Sequence, residues 1–237
     1  MVEGAKTEVE LFNKAFQEYK LDVHYEIYSY KTNIYDLYER MFLGNENDLN
    51  ALDLLGVLKE KDSNNQLLRE DFSDILLIFD YDPQDNRFNV ARIKLMLKYF
   101  NESTDNGKLF INYPMFESFK HLKSSPDPEY KNRCVDISVV LTGKYKELVG
   151  IETRYHDLRT YDKNHFNFVI IHNINKANYI INKMFESEYE DLKNVYFNLI
   201  PENILREQNE FLLNMNKIHV LNSALFFICD YNFDLIL

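Results

Sequence analysis

Two acidic residues, Asp80 and Asp82, close an uninterrupted apolar run, Ile75-Leu76-Leu77-Ile78-Phe79. A short run of this kind suits a strand covered on both faces, as strands are in parallel sheets flanked by helices. Residues i and i+2 of a strand point to the same side, so both carboxylates converge at its carboxyl end, where open α/β sheets place their ligands. Two carboxylates that close repel unless something cationic lies between them, and an all-oxygen set suits Mg²⁺ or Mn²⁺. Asp85, beyond Pro83, is a third candidate ligand. The same acids also suit a turn in which Asp82 and Asp85 cap the next helix.

A second acidic feature opens the chain: Val2-Glu3-Gly4, followed by Thr7-Glu8. Glycine permits a tight strand-to-helix turn, which places Glu3 at the carboxyl end of a first strand, on the same rim as Asp80 and Asp82. Taken alone, an acid near a terminus is ordinary solvated surface, and its interest comes from the second motif.

The elements that must position these acids are legible in the apolar pattern. Thr7 with Glu10 reads as a capping box, and Val9, Phe12, Phe16 and Tyr19 recur at helical spacing, so a helix is predicted from about residue 8. Residues 23–30 alternate as a strand would. Ile34, Leu37, Tyr38 and Met41 form a helical stripe, and Asp48 is placed to cap a helix carrying Leu49, Leu52, Leu55 and Leu58. After the Ile75–Phe79 strand come a helix with Val90, Ile93, Leu97 and Phe100, a strand at 109–111 and, past Pro114, a helix through Phe116, Phe119 and Leu122. Alternating strands and helices predict an α/β fold with an open, mostly parallel sheet flanked by helices. Ser124-Ser125-Pro126-Asp127-Pro128 interrupts the pattern and divides the chain into residues 1–123 and a mostly helical part, 124–237. In that part 166–171 suits a strand or a helix start, and 177–185, 189–199, 204–215 and 218–228 have helical periodicity.

The paired acid motifs, Val2-Glu3-Gly4-x-x-Thr7-Glu8 and Ile75-Leu76-Leu77-Ile78-Phe79-Asp80-Tyr81-Asp82, resemble the Toprim domain of topoisomerases, primases, small RNA-maturing nucleases and OLD-type nucleases of phage defence. The Thr-Glu pair, with Asn112-Tyr113-Pro114-Met115-Phe116-Glu117-Ser118-Phe119, is similar to the OLD-like and RloB-like branch of bacterial defence proteins. The resemblance covers about residues 1–123. It implies Mg²⁺- or Mn²⁺-dependent cleavage of a nucleic-acid phosphodiester, with Glu3 as general acid/base, Asp80 and Asp82 as the metal-holding pair, and Glu8 and Glu117 completing a second metal position. The family's first strand supplies several apolar residues before the glutamate. Here only Met1 and Val2 precede Glu3, so the expectation is a shortened or stub strand, which an in-frame apolar segment upstream would restore.

Charge is unevenly divided. Residues 1–118 carry 13 basic against 22 acidic side chains, residues 119–183 carry 11 against 7, and residues 184–237 carry 3 against 9. The basic middle holds Lys120, Lys123, Lys131, Arg133, Lys144 and Lys146, interleaved with Tyr130, Tyr145, Tyr155 and Tyr161. Lysine and arginine neutralise phosphates and tyrosines stack on unpaired bases; the alternative is a solvated surface with the tyrosines packed inward.

Two cysteines, Cys134 and Cys229, are too few for a disulfide framework, and none of the six histidines forms an HxH, HxxxH or HExxH pair. The chain lacks both a bilayer-length apolar run and the greasy leader of a secreted protein, so a cytoplasmic location and no membrane partner are expected. A strand ending in DxD also opens haloacid-dehalogenase-type phosphatases, but there the motif lies near the chain's start. No phosphate-binding GxxxxGK[ST] loop is present, so any ATP-driven step would need a separate ATPase. A homodimer is compatible with this reading. The competing one is a non-catalytic interaction or regulatory protein built on the same scaffold.

Overall fold

The structure, a computed structural model, describes residues 1–21, 23–45, 48–62, 68–185 and 189–236. The first part of the chain builds helices α1 (Thr7–Tyr19), α2 (Ile34–Met41) and α3 (Leu54–Lys61), then strand β1 (Leu76–Asp80), helix α4 (Val90–Tyr99), and strands β2 (Asn101–Glu102) and β3 (Gly107–Asn112). The second part comprises β4 (Cys134–Asp136), α5 (Ile137–Leu141), α6 (Tyr145–Glu152), α7 (Lys163–Asn182), α8 (Tyr189–Phe197), α9 (Pro201–Met215), β5 (Lys217–His219) and α10 (Phe227–Asn232).

The fold is mixed α/β with a small open sheet in the order β1-β3-β2. β1 and β3 are parallel, with Asp80 opposite Asn112, and β2 joins β3 antiparallel, which makes the sheet mixed. Val2 bridges both Ile78 and Ser29 in parallel sense, a one-residue stub wedged between β1 and the 23–29 segment. Residues 23–30 therefore do not form the predicted strand. Their neighbour offers a single ladder residue, which yields a bridge and no more.

Several local expectations are corrected by competing partners. α1 begins at Thr7 with no side-chain cap, and the carboxylate of Glu8, not Glu10, turns back to the N-terminal turn. Asp53 caps α3 through the Gly56 N–H, while Asp48 only precedes a short 3-10 turn, Leu49–Ala51. α4 is capped by Asn89, which accepts from Ala91 and Arg92, so neither Asp82 nor Asp85 is its cap.

The helix expected past Pro114 is a 3-10 turn, Phe116–Lys120, whose groups are drawn sideways to the second part of the chain. Asn222 Nδ2 donates to the Phe116 carbonyl at 3.0 Å and to Ser118 Oγ at 3.1 Å. The 218–228 segment is not one helix. Asn216 ends α9 in the left-handed region, β5 pairs antiparallel with β4, Leu221 bridges Tyr113, and the helix resumes at Phe227. Short apolar runs of this length are ambiguous between strand and helix, and here backbone pairing decides. Residues 166–171, left open above, lie inside α7.

The division near residue 124 marks a loop within one core. A single cluster of buried apolar side chains runs from Val2 to Ile236. Phe12 and Phe16 of α1 pack on Phe227 at ring separations of 5.6 and 5.5 Å, and the Tyr19 hydroxyl donates to Asn167 Oδ1 at 2.6 Å. Among the described residues no helix is long and apolar enough to cross a membrane.

Asn222 is the tie between the two parts: besides the bonds above, its own N–H donates to Asn173 Oδ1 at 2.7 Å and its Oδ1 accepts from Ala224. Truncating it leaves buried partners without a hydrogen bond. Asn222→Ala is expected to cost about 1–3 kcal/mol, read as a lower urea midpoint with an unchanged m-value.

Candidate active site

The acids meet because two chain segments end on the same rim. The Val2 bridge fixes Glu3 beside the end of β1, and Lys31 N–H donates to the Glu3 carbonyl at 2.9 Å. The Glu3 side chain then turns across, and its Oε2 accepts the Asp80 backbone N–H at 3.2 Å. Asp80 ends β1 and is 8% exposed, Asp82 is 9% exposed, and Glu117, on the 3-10 turn after β3, is 7% exposed. Asp80 also accepts from the Phe116 N–H and weakly from Asn112 Nδ2, 3.4 Å away. Asp82 sits at φ +43°, a left-handed conformation that Asp tolerates better than most residues, and its Oδ1 accepts from Gln84 Nε2 at 2.7 Å.

Burial and mutual repulsion hold this group away from ordinary carboxylate behaviour. Burial, then the charge of Asp82, pushes Glu3 up to about 8 against the bond it receives from Asp80. Asp80 is raised well above its ordinary value by burial, then by Glu3 and Asp82. Asp82 is raised by burial, with Asp85 and Glu117 adding repulsion and the Gln84 bond opposing it. Among the described residues Glu3, Glu8, Asp80 and Asp82 take part in no ion pair. Glu117 pairs with Lys146 of α6 at 2.7 Å, and that lysine is mostly exposed.

Glu8 lies beside this group and is held by the N-terminal turn. Its Oε1 accepts the Gly4 N–H at 3.0 Å, and burial together with Glu117 raises its pKa. A Cβ at Gly4 would lie 2.2 Å from that oxygen, so a larger residue there would displace the Glu8 carboxylate from the Gly4 N–H.

Asp85 stands apart. Arg87 holds it through Nε and the backbone N–H, at 2.9 and 2.8 Å, and Asn33 Nδ2 donates to it at 2.6 Å. Arg87 pulls its pKa well below the usual range, so it anchors the turn after β1 to the start of α2.

The basic set is divided. The Arg133 side chain is buried with its guanidinium on Asp127 at 2.9 Å, which removes it from any phosphate-facing surface. Lys123 pairs with Glu152 at 3.0 Å, Lys120 lies over the Phe119 ring, and the Lys131 carbonyl accepts from buried Lys176. Lys144 and Lys146 are exposed on α6 and its approach. Tyr130, Tyr145 and Tyr161 are fully buried, with Tyr130 donating to Asn173 and Tyr145 hydrogen-bonded to His121. Base stacking is closed to these three, and only Tyr155 is partly open.

Asn112 was not singled out as a site residue by sequence reasoning. It ends β3 opposite Asp80, and its Oδ1 is buried with no hydrogen-bond donor. An orphaned acceptor beside uncompensated carboxylates fits a hard cation or a water bound to one, and the donor set is all oxygen. The available signal was its position at the end of an apolar strand parallel to β1. As the side chains stand, no group of three or more His, Cys, Asp or Glu among the described residues could hold a metal ion. Glu3 is turned to the Asp80 N–H and Asp82 to Gln84, so ligation requires both to swing inward.

Compared with protein-family models, with curated proteins and with solved structures, the chain matches none.

Glu3 keeps its proton in the fold up to about pH 8, while an unfolded glutamate loses it near 4.5. The proton-retaining fold therefore loses stability as pH rises through that window. In metal-free buffer the Tm advantage of Glu3→Gln over the unsubstituted chain is expected to grow from about pH 5 to pH 8. A constant difference across the scan would contradict the buried-acid geometry.

Proposed function

We propose that this chain is a Toprim-type nuclease that hydrolyses nucleic-acid phosphodiesters with Mg²⁺ or Mn²⁺, acting in the cytoplasm in bacterial defence against phage. The observation that carries the reading is the bond from the Asp80 N–H to Glu3, residues 77 apart in sequence, within a buried acidic group in which, among the described residues, Glu3, Asp80 and Asp82 have no ion-pair partner and only Glu117 meets a cation, Lys146. Defence rests on the family resemblance, and the location on the cysteine content and apolar pattern of the sequence.

Asp80 and Asp82, with Asn112 Oδ1, would hold the first ion, and Glu117 with Glu8 a second. A divalent ion at such a site supplies Lewis-acid stabilisation of the phosphoryl oxygens and lowers the pKa of bound water. Glu3, its pKa pushed close to neutrality, suits a group that takes or returns a proton at the reacting oxygen. Lys146 sits at the edge of the acids and, with exposed Lys144, is placed to receive phosphates; Lys120 and Lys123 lie further along the same stretch. Asp85 and Arg133 are left out of these roles because Arg87 and Asp127 already occupy them.

The competing reading is a non-catalytic interaction or regulatory protein built on the same scaffold. Purified protein with labelled single- and double-stranded DNA and RNA, with Mg²⁺ or Mn²⁺, separates the two. Cleavage is expected, falling at least about 100-fold in Asp80→Ala and Glu3→Gln and much less in Asp85→Asn. Absence of cleavage of every substrate with either ion supports the scaffold.

A further inference from the structure

Among the described residues, Lys146 is the one cation paired with the acids assigned to the two ions, and the fold sets it there. Helix α6 is clamped at both ends to His121, which directly follows the turn carrying Glu117. Glu152, the last residue of α6, meets His121 Nε2 at 2.9 Å, and Tyr145, the first, meets its Nδ1 at 3.0 Å. An ionised carboxylate only accepts, so Nε2 carries the proton and Nδ1 accepts the Tyr145 hydroxyl. His121 and Tyr145 are both buried, which makes the clamp part of the core. One residue past Tyr145, the Lys146 ammonium rests on Glu117 Oε1 at 2.7 Å.

The two partners differ in exposure: the Glu117 side chain is 9% exposed and that of Lys146 66%. The ammonium thus reaches from solvent into the acids on a flexible four-carbon stem, and open solvent is there for it to return to. It also feels Glu8. The bond to Glu117 and that residue's charge, then the charge of Glu8, raise the Lys146 pKa against its partial burial. Glu8 and Glu117 are the pair assigned above to the second ion.

We infer that the Lys146 ammonium holds the second ion's position in the metal-free chain, so that Mg²⁺ or Mn²⁺ binds there only in competition with it. This rests on the nuclease reading, which supplies the second position. Two cations in contact with one buried carboxylate repel each other, so Lys146 must leave Glu117 before an ion is held there. A divalent ion carries twice the charge and takes oxygens from both Glu8 and Glu117, whereas the ammonium is a single compact charge on one oxygen, so the exchange is possible at sufficient metal. Loading is therefore ordered. Asp80 and Asp82, which have no ion-pair partner among the described residues, take an ion first, and Glu117 with Glu8 follows once Lys146 swings out. The released lysine is then free to meet a substrate phosphate.

Titration of the intact, metal-free chain with Mn²⁺, followed by electron paramagnetic resonance, tests it, because two ions roughly 4 Å apart couple magnetically and a single ion does not. The unsubstituted chain should take up one ion, with the coupled signal developing only at Mn²⁺ concentrations at least about tenfold higher. Lys146→Met should lower the concentration needed for the second ion at least about tenfold and leave the first unchanged. Lys146→Arg, which keeps a cation on Glu117, should preserve the delay, and Lys98→Met, which removes an exposed charge from α4, should behave as the unsubstituted chain does. Glu117→Gln should lose the coupled signal and keep the first ion. Suppose the first ion binds and is lost in Asp80→Asn. Two ions of equal affinity in the unsubstituted chain, or a second ion that Lys146→Met leaves unchanged, then overturns this inference alone and leaves the nuclease reading standing. No uptake of Mn²⁺ by any variant overturns both.

Discussion

Carboxylates buried together without a cation repel one another and lose their hydration, and this constraint governs the carboxyl end of the central strands. Glu3, Asp80 and Asp82 are brought there by backbone geometry that the rest of the fold enforces: the Val2 bridge, the parallel register of β1 with β3, and the turn after Asp80. Each acid is partly compensated by a dipole, the Asp80 N–H on Glu3, the Phe116 N–H on Asp80 and the Gln84 amide on Asp82. These bonds soften the repulsion without removing it, so all three groups hold protons more tightly than free carboxylates do.

The surrounding structure protects the arrangement. Tyr81, between the two aspartates, is fully buried against Tyr113 and Phe88, and its carbonyl accepts from the Tyr35 hydroxyl. The Asn33–Asp85–Arg87 contacts pin the following turn to α2, and Arg87 reaches on to Glu39. Asn222 and Ser223 tie the end of β3 and the Glu117 turn to the second part of the chain, Ser223 Oγ donating to the Ile111 carbonyl at 2.8 Å. The segment between β5 and α10 is thus part of what fixes the rim, which is consistent with a single core.

The sequence was most readable where one physical signal dominated. The Ile75–Phe79 run had to be buried on both faces, and the stripe of Ile34, Leu37, Tyr38 and Met41 had to face the core; both became the elements expected. The meeting of Glu3 with Asp80 was also legible, because glycine after an acid and DxD after an apolar strand each imply a strand end. What failed depended on distant partners. Nothing local in 218–228 announces that β4 and Tyr113 will capture its backbone. For Tyr130 and Tyr145 the alternative with tyrosines packed inward is the one the fold adopts, with Asn173 and His121 holding their hydroxyls inside. Asp85 looked like a ligand by spacing, and Arg87 two residues on was the available signal that it would be an anchor.

The central claim is that the buried acids form a cation site whose protons are displaced when the ion enters. Calorimetric titration of metal-free protein with Mn²⁺ at about pH 7.5, in two buffers of different ionisation enthalpy, measures that exchange directly. Saturable uptake with release of about one proton per ion is predicted, both lost in Asp80→Asn. No uptake at millimolar Mn²⁺, or uptake that Asp80→Asn leaves unchanged, would contradict the account.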